Sequence, residues 1–253
     1  MTSRIAMGPV GRLPLGRWEL RLPLGFAVAA VAGVVLFTGL GRWQWHRAAE
    51  KRALADDFAA GAHHIEPLGD RPLAQLQRYA QLQVQGQYDG AHQFLLDNLS
   101  HDGQAGYQVL TPLRLADGRV LLVNRGWLPM GTDRRVLPSV QLDDSQPVTL
   151  TGQLDALPRA ALAMGHAAPA DSGSWPRLTS FPQQAELSHA LGHSVEQGQL
   201  LLGASQPQGY LRDWHPYNSG FGPERNLSYA IQWWGLAALS GGLFFFMNFR
   251  RRT

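Results

Sequence analysis

The sequence predicts a membrane protein of the α+β class, in which two transmembrane helices flank an external domain. That domain is predicted to be mainly antiparallel β-structure, as a small barrel or a sheet, with one or two helices. Uncharged apolar runs occupy residues 22–40 and 229–247, near the two ends of the 253-residue chain, and each is long enough to cross a bilayer as a helix. Between them, short segments of strand character alternate with turn signals, which is typical of antiparallel β-structure.

The first element is a basic N-terminal segment, residues 1–21, which carries four Arg against one Glu. The chain also ends on a basic tail with three consecutive arginines at positions 250–252. Because the whole chain carries +3 at pH 7 and the two ends together carry +6, the residues between them carry −3. A nucleic-acid partner would need a dense basic surface to neutralise phosphates. The charge distribution therefore excludes nucleic acid as a partner.

The first transmembrane helix is predicted over residues 22–40, which contain no charged side chain. A helix of this length spans about 28 Å, close to the roughly 30 Å of a bilayer core. A cleaved signal peptide is the alternative, but its apolar region would be shorter and would end at a small-residue cleavage site. The bulky, charged sequence RWQWHR follows instead, which favours an anchor.

The external domain is predicted over residues 41–228. Residues 42–60 contain no Gly or Pro, so we expect the first helix to continue into solvent and to stop at Gly61. Strands are then predicted at residues 81–88, 92–98, 107–115, 119–127, 147–155 and near 199–203. Asp117-Gly118 predicts a tight hairpin turn in which both residues have positive φ. One soluble helix is predicted at residues 181–195, and residues 128–146 and 156–174 are predicted to be loops.

The second transmembrane helix is predicted over residues 229–247, followed by a cytoplasmic basic tail, residues 248–253. Positive residues stay on the cytoplasmic side of a membrane, and the arginine triplet outweighs the single Arg225 at the other end of this run. Both termini are therefore predicted to be cytoplasmic and residues 41–228 external, with lipid as a partner. Small residues repeat every four positions in both runs, which would allow close packing of the two helices. They are Gly25, Ala29, Gly33, Ala237 and Gly241.

No catalytic or metal motif stands out, and we expect no enzymatic activity. The chain has no Cys, which excludes disulfide scaffolds, thiolate zinc and iron-sulfur sites, and thiol copper chaperones. His189 and His193 lie four apart on the predicted helix and could clamp a metal, but no third ligand is near them in sequence. A membrane-anchored periplasmic enzyme or a histidine-based metal-binding module remains the alternative function.

Histidines near the membrane helices form a more informative cluster. His46 follows the first run, while His215 and Asn226 precede the second, so a hairpin would bring them towards one interface. Aromatic residues accumulate at the same level, among them Trp43, Trp45, Tyr229, Trp233 and Trp234. Haem is a flat apolar macrocycle whose iron takes histidine ligands, and an aromatic pocket suits it. The alternative is that these residues are ordinary interfacial anchors.

Several stretches resemble the surfeit locus protein 1 family of membrane-anchored assembly factors for haem-copper cytochrome c oxidase. The sequence LGRWQWHRAAEK (residues 40–51) resembles the start of the family pattern, Leu-Gly-x-Trp-Gln. The sequences GQYDGAHQFLLDN (86–98) and GYQVLTPLRLADGRVLLVNRGWLP (106–129) resemble its central block. WPRL (175–178) and PERNLSYAIQWWGLA (223–237) resemble its later motifs. The resemblance runs in order from about residue 38 to 240 and implies two membrane spans around a large external domain.

The resemblance implies a function in placing haem a into the catalytic subunit of a terminal oxidase, or in stabilising that subunit with other assembly factors. Family members commonly have His three residues before the Tyr that is Tyr229 here, and that His is associated with haem a. This chain has Asn226 instead, and Asn cannot replace imidazole as an iron ligand. The candidate cofactor-binding residues are therefore His46 and His215 as conjectural ligands, with Asn226, Tyr229, Trp233 and Trp43 around them. Residues 1–21 are short and poor in Ser for a transit peptide, which favours the cell inner membrane of a bacterium.

Overall fold

The fold is described here from a computed structural model. It describes residues 10–15, 18–159, 166–170, 173–216 and 222–251. The described residues up to Ala53 and after position 221 form one compact unit, and those from Leu54 to position 220 form a second. We call them the helical unit and the sheet domain. Parts of the predicted segments 1–21, 41–228 and 248–253, including the middle of the predicted loop 156–174, lie outside the described residues.

The described part of the chain contains three α-helices, a short 3-10 helix at Leu73–Gln75 and eleven strands. The helices are α1 (Leu24–Gly61), α2 (Gln184–Leu191) and α3 (Pro223–Asn248). The strands are β1 (Val10–Leu15), β2 (Trp18–Pro23), β3 (Ile65–Pro67), β4 (Gln81–Tyr88), β5 (Phe94–His101), β6 (Gln104–Leu115), β7 (Val120–Pro129), β8 (Val148–Asp155), β9 (Arg177–Thr179), β10 (Gln199–Leu202) and β11 (Phe249–Arg251). The α+β class is thereby confirmed.

The helical unit contains α3, α1 up to Ala53, and a three-stranded antiparallel sheet in the order β1-β2-β11. The sequence did not predict this small sheet. Among the described helices, α1 and α3 are the two that are long and apolar enough to cross a membrane. Helix α1 begins at Leu24 instead of 22, because Pro23 biases the residue before it towards extended backbone. It ends at Gly61, as predicted.

Helix α3 begins six residues before the predicted start of the second membrane run. Pro223 occupies the first helical turn and Glu224 lies beside it. Proline is favoured at this position because its missing N–H would have no partner there, and an acidic side chain suits the positive end of the helix dipole. The predicted range 229–247 marked the uncharged run, whereas the helix itself starts at the capping signals before it.

The sheet domain is built on an eight-stranded sheet in the order β3-β4-β8-β10-β7-β6-β5-β9. Strand β4 also pairs with β6, so β4, β8, β10, β7 and β6 form a closed ring of backbone pairings. Most neighbours are antiparallel, as predicted, but β3–β4, β5–β9 and β10–β7 are parallel. The sequence did not predict β3 and β9, which have three residues each and are too short to show a period of two.

The hairpin between β6 and β7 is present, but its turn differs from the predicted one. Gly118 has φ +86°, whereas Asp117 is not among the residues with positive φ. The N–H of Gly118 donates to the carbonyl of Leu115, and the N–H of Leu115 donates to the carbonyl of Arg119. This pattern fits a three-residue loop that ends in one left-handed glycine. The turn in which both central residues have positive φ lies at Asp102-Gly103, between β5 and β6.

Helix α2 covers only eight of the fifteen residues predicted as helix. It stops because Gly192 adopts a left-handed conformation with φ +75°, a common helix terminator. Its buried Leu187 packs with apolar side chains of the β5–β6–β7 part of the sheet. A second cluster, which includes Leu82, Leu113, Leu150 and Leu200, comes from strands of the closed ring. Apolar side chains of the closed ring of strands and of α2 thus both contribute to the core of the sheet domain.

Candidate functional site

Helices α1 and α3 contact each other along one stripe of each helix. On α1, Gly41 is buried and Gln44 is half-buried, while Asn226 and Trp234 face them from α3. Positions three, four or eight residues apart lie on the same side of a helix. Residue numbers rise along α1 as they fall along α3 in these contacts, so the two helices are antiparallel. We call Gly41, Gln44, Trp45, Asn226 and Trp234 the helix-pair site.

A hydrogen bond joins Asn226 and Gln44 within the helix-pair site. The amide Nδ2 of Asn226 donates to Oε1 of Gln44 at 2.7 Å, and a bond of this kind contributes about 0.5–1.5 kcal/mol. A histidine at this position could donate through one ring nitrogen and keep the other for a ligand. Asn226 has no such second nitrogen, so the site holds the two helices together but offers no iron ligand at this position.

Aromatic rings fill the rest of the contact between the helices. A Cβ atom at Gly41 would lie 2.3 Å from Nε1 of Trp234, so only glycine lets the indole ring lie against α1. The rings of Trp45 and Trp234 have centroids 5.8 Å apart, and Phe37 stacks on Trp233 at 5.7 Å. The resemblance motif Leu-Gly-x-Trp-Gln thus has a physical basis at its Gly and Gln positions.

His46 and Trp43 lie away from this stripe. Both side chains are exposed, and on an α-helix residues 43 and 46 lie on the opposite side from residues 41, 45 and 48. The guanidinium Nε of Arg42 donates to Nε2 of His46 at 3.4 Å, so that ring nitrogen is the acceptor. Tyr229 on α3 is also exposed. An iron ligand at His46 would therefore bind on the outer side of α1, and Arg42 would have to move.

Charged residues continue along α1 beyond His46. Arg47 forms an ion pair with Glu50 at 2.7 Å, and exposed pairs of this kind contribute little to stability. Burial lowers the pKa of Lys51, the nearby Arg47 lowers it further, and Glu224 of α3 raises it. The first turn of α3 thus meets the basic part of α1 with an opposite charge.

His215 lies in the sheet domain, on the wall of a cavity of about 410 Å³. We call it the histidine cavity, because His101 and His215 both line it. The Nε2 atom of His215 lies 3.1 Å from Oδ2 of Asp213, and Nδ1 of His101 lies 4.0 Å from the same oxygen. Two indole side chains, Trp127 and Trp214, also line the cavity. Aromatic walls with a few polar groups are typical of small-molecule sites.

One side of the histidine cavity carries an ion pair between Arg78 and Asp155. The two side chains lie 2.7 Å apart. Burial raises the pKa of Asp155, while the hydrogen bond and charge of Arg78 and the backbone N–H of Ala156 lower it. Arg159 lines the same cavity. The cavity therefore presents guanidinium groups together with its imidazole and indole rings.

The predicted central motif ends in Asn124, Arg125, Gly126 and Trp127, which lie on β7, and Trp127 is the one of these four that lines the cavity. Asn124 is fully buried and donates to the side-chain oxygens of Gln108 and Gln199 at 2.8 and 2.9 Å. Trp127 exchanges two backbone hydrogen bonds with Leu211. These contacts join strand β7 to the segment that leads to His215.

Arg125 is the buried cation of this motif. It is 2% exposed and donates to the carbonyl of Gln208 and to the side-chain oxygen of Gln93, both at 2.8 Å, and to the carbonyl of Val140 at 3.1 Å. Its guanidinium carbon lies 5.1 Å from the ring centre of Tyr210. Burial lowers the pKa of Arg125, and Tyr210 and Tyr88 act in the opposite direction. Arg125 therefore holds the 208–210 segment by hydrogen bonds to neutral oxygens.

The described residues contain no group of three or more His, Asp or Glu side chains that could hold a metal ion. His193 lies beyond the end of α2 at Leu191, so His189 and His193 do not share one helix as the sequence predicted. Another histidine, His92, contacts both carboxylate oxygens of Asp89 through its Nδ1 atom, at 2.8 and 2.9 Å. Asp97 forms a short ion pair with Arg134.

Of the predicted site residues, the structure brings Asn226 to Gln44 and stacks Trp233 on Phe37. It places His46 and Trp43 on another side of α1, leaves Tyr229 exposed and places His215 in the sheet domain. Trp234, which was not a predicted site residue, lies against Gly41. Sequence reasoning missed the roles of Gln44 and Gly41 in the helix pair, and it missed His101, Asp213 and Trp214. A signal was present for the first two, since Gly41, Gln44 and Ala48 repeat at helical spacing. The partners of His215 come from β5 and from a loop, and no sequence period relates them.

The SURF1 family matches the chain over residues 31–238. The matched range contains most of α1, the whole sheet domain and the first part of α3. The SURF1-like protein of Dictyostelium discoideum is 31% identical to the chain over 114 residues. The match covers 41% of this chain and 42% of the relative, so the chain spans less than half of the relative's length.

Proposed function

Because the chain belongs to the SURF1 family, we propose that it is a membrane-anchored assembly factor for haem-copper cytochrome c oxidase. The observation that carries this proposal is the extent of the match, residues 31–238. It includes parts of both apolar helices as well as the sheet domain between them. The motif residues Gly41 and Gln44 also have defined contacts with α3. A match to the sheet domain alone would have supported only a domain of this shape.

We propose that α1 and α3 cross the cell inner membrane, with both termini in the cytoplasm and residues 41–228 in the periplasm. The apolar side chains along both helices support this, because many of them point outward. Val28 and Val35 of α1 are 60% and 67% exposed, and Phe246 of α3 is 84% exposed. Exposed apolar area costs about 25 cal/mol per Å² in water, and contact with lipid tails removes that cost.

Haem a is proposed as a transient cargo and not as a resident cofactor. The family position that would supply an imidazole is Asn226, whose amide is bound to Gln44. The conjectural ligands are therefore His46 and His215. His46 lies on the outer side of α1, three residues after Trp43, and His215 lines the histidine cavity. Binding and release of such a cargo would need no catalytic residue, so the proposed role is that of a binding protein and not of an enzyme.

The proposed partners are the catalytic subunit of the oxidase and other assembly factors. The decisive experiment is deletion of the gene in its own host, followed by optical spectra of the membranes. We expect the haem a absorbance of the oxidase to fall and to return when the unmutated gene is restored. Co-purification of the catalytic subunit with the tagged full-length protein would be a second expected result. Unchanged haem a absorbance in the deletion strain would overturn the proposal.

The cargo proposal has its own test. The full-length protein is purified from cells that make haem a, and its spectrum is compared with those of His46→Ala, His215→Ala and Asn226→His, with the exposed His64→Ala as a control. We expect bound haem a in the unmutated protein, its loss in one of the two alanine variants, and a gain in Asn226→His. Absence of haem from the unmutated protein would refute the cargo role, and retention in both alanine variants would refute both ligands.

A further inference from the structure

The imidazole ring of His166 lies between two acceptors. Its Nδ1 atom lies 3.1 Å from the backbone carbonyl oxygen of Phe181, and its Nε2 atom lies 3.0 Å from Oε1 of Glu186. Both distances are those of hydrogen bonds. Neither acceptor carries a proton to give. The ring must therefore donate from both nitrogens if both contacts are hydrogen bonds.

A neutral imidazole has one N–H and one acceptor nitrogen, whereas the imidazolium ion has two N–H groups. Only the protonated ring can satisfy Phe181 and Glu186 together. When the ring loses a proton, one nitrogen lone pair must face one of these two oxygens. His92 and His215 differ, because their described ion-pair contacts involve one ring nitrogen each. His166 is thus placed so that its protonation state decides whether its contacts hold.

His166 and Ala167, which we call the 166–167 segment, are tied to the residues that precede α2 by several further bonds. The backbones of Ala167 and Ser180 exchange two hydrogen bonds of 2.9 Å. The hydroxyl of Thr179 donates to the carbonyl of Ala167 at 2.7 Å. The Oε2 atom of Glu186 accepts from the N–H of Gln183 and so caps α2. The contacts of His166 therefore join this segment to a helix end that is itself fixed.

We propose that His166 is a pH-operated latch, which ties the 166–167 segment to the start of α2 while its ring carries two protons and loosens it when one is lost. His166 lines a cavity of about 720 Å³. Phe181 and Gln183, which lie at the start of α2, also line it, together with Leu76, Leu154 and Leu157. The latch would therefore control the width of this cavity. It acts in the sheet domain and does not depend on haem.

The charges around the ring favour its protonated form. On α2 the facing group is the carboxylate of Glu186, and His189 lies one turn further along that helix. Arg177 of β9 donates to the carbonyl of Ala190 at the other end of α2. Asp155, which is paired with Arg78, and Arg159 line the same cavity as His166. Among the charged side chains that the structure describes, Glu186 is the one whose hydrogen bond to His166 is observed.

The direction of the pH effect follows from these contacts. The net effect of its surroundings is to raise the pKa of His166 above its usual value: the hydrogen bond to the carbonyl of Phe181 raises it, loss of contact with water lowers it, and the charge and hydrogen bond of Glu186 raise it. A group whose pKa is raised in the folded state stabilises that state fully below its unfolded value, which is about 6.5 for His. The stabilisation is lost as the pH rises through the raised pKa. The latch is therefore closed in mildly acidic solution and open in alkaline solution.

The test uses hydrogen exchange of the full-length protein in detergent, measured at about pH 6 and about pH 8.5, on either side of the ordinary histidine range. The readout is the protection factor of the Ala167 and Ser180 amides, which corrects for the intrinsic pH dependence of exchange. An internal control is the similar bridge between Trp127 and Leu211, which also has two backbone hydrogen bonds. We expect protection at Ala167 and Ser180 to fall between the two pH values, relative to this control.

Two variants make the test specific. His166→Gln keeps a donor and an acceptor but cannot titrate, so the pH-dependent fall should be lost. Glu186→Gln keeps an acceptor for the helix cap but removes the charge, so the fall should move to lower pH. The control is His193→Gln, since His193 contacts only a backbone carbonyl, that of Ser194, at 3.4 Å in the described hydrogen bonds. The latch is disproved if the unmutated protein shows no fall, or if His166→Gln shows the same fall as His193→Gln.

Discussion

Replacement of Arg125 by methionine removes a buried guanidinium and keeps much of the volume of the side chain. Three oxygen atoms lose a charged donor: the carbonyls of Gln208 and Val140 and the side-chain oxygen of Gln93. A hydrogen bond to a charged group contributes about 1.5–3 kcal/mol. The gross loss is therefore about 4.5–9 kcal/mol, and relief of the cost of burying a cation offsets part of it.

The net destabilisation expected for Arg125→Met is about 3–5 kcal/mol, towards the lower end of the gross loss, because three buried neutral oxygens each lose a donor at a cost of about 1–3 kcal/mol. For a domain of this size each kcal/mol lowers the melting temperature by about 2–4 °C, so the expected fall is about 6–20 °C. Thermal unfolding of the full-length protein in detergent, followed by circular dichroism, measures it. The matched control is Arg135→Met, because Arg135 is 90% exposed and pairs with Asp133 at the surface.

The control should melt within about 4 °C of the unmutated protein, since an exposed ion pair contributes about 0–1 kcal/mol. A local effect is also expected in Arg125→Met. Arg125 holds the carbonyl of Gln208 and the ring of Tyr210, so the segment that leads to Trp214 and His215 should exchange its amide hydrogens faster. If Arg125→Met melts at the same temperature as the control, the assignment of Arg125 as the clamp of this segment is refuted.

Further predictions concern the helix pair and a buried phenol. The Cβ of Ser240 lies 3.7 Å from a Cβ built at Gly33, a distance that matches a disulfide. The double variant Gly33→Cys, Ser240→Cys should therefore form a cross-link, in a chain with no other cysteine. No cross-link under oxidising conditions would contradict the packing of α1 against α3. Added to this double variant, Gly41→Val should reduce cross-linking because it displaces the indole ring of Trp234. Gly39→Val is the control, since a Cβ at Gly39 meets nothing within 4 Å. Equal cross-linking in the two variants would argue against the close contact of Gly41 with Trp234. Burial raises the pKa of Tyr88 to about 12, so stability is retained below the ordinary value of about 10 and lost as the pH rises through 12. In an ultraviolet titration Tyr88→Phe should remove the last ionising phenol, and persistence of that phase would show that another tyrosine causes it.

The elements that the sequence predicts best are those whose pattern is local. Strand β4 occupies residues 81–88 as predicted, because Gln alternates with buried residues along its whole length. The end of α1 at Gly61 also follows from composition. The parallel pairing of β10 with β7 could not be predicted, because it joins Leu200 to Val123, and no periodicity within either segment records such a partner.

In the candidate site, too, the sequence predicts local positions but not the partners that come from distant segments. The apolar runs beside Trp45 and Trp234 predict that both lie at one level of the two helices, and the helix pair does bring their rings together. His46 and Gln44 are two residues apart on α1 and so point to different sides of the helix. Gln44 lies inside the contact with α3, and His46 lies outside it. The sequence placed His46 and Asn226 at one level, but it could not assign the amide partner of Asn226.

The closed ring of strands has a consequence for the order of folding. Strands β6 and β7 are joined by a short turn and can pair as soon as both are made, whereas β10 fills the gap between β7 and β8 only after Gln199–Leu202 have emerged. Pairings between distant segments form slowly. Until β10 arrives, β7 and β8 each have an unpaired edge, which is a template for association with other chains. A chain that is synthesised from its N-terminus must therefore expose these two edges until almost the whole sheet domain has been made.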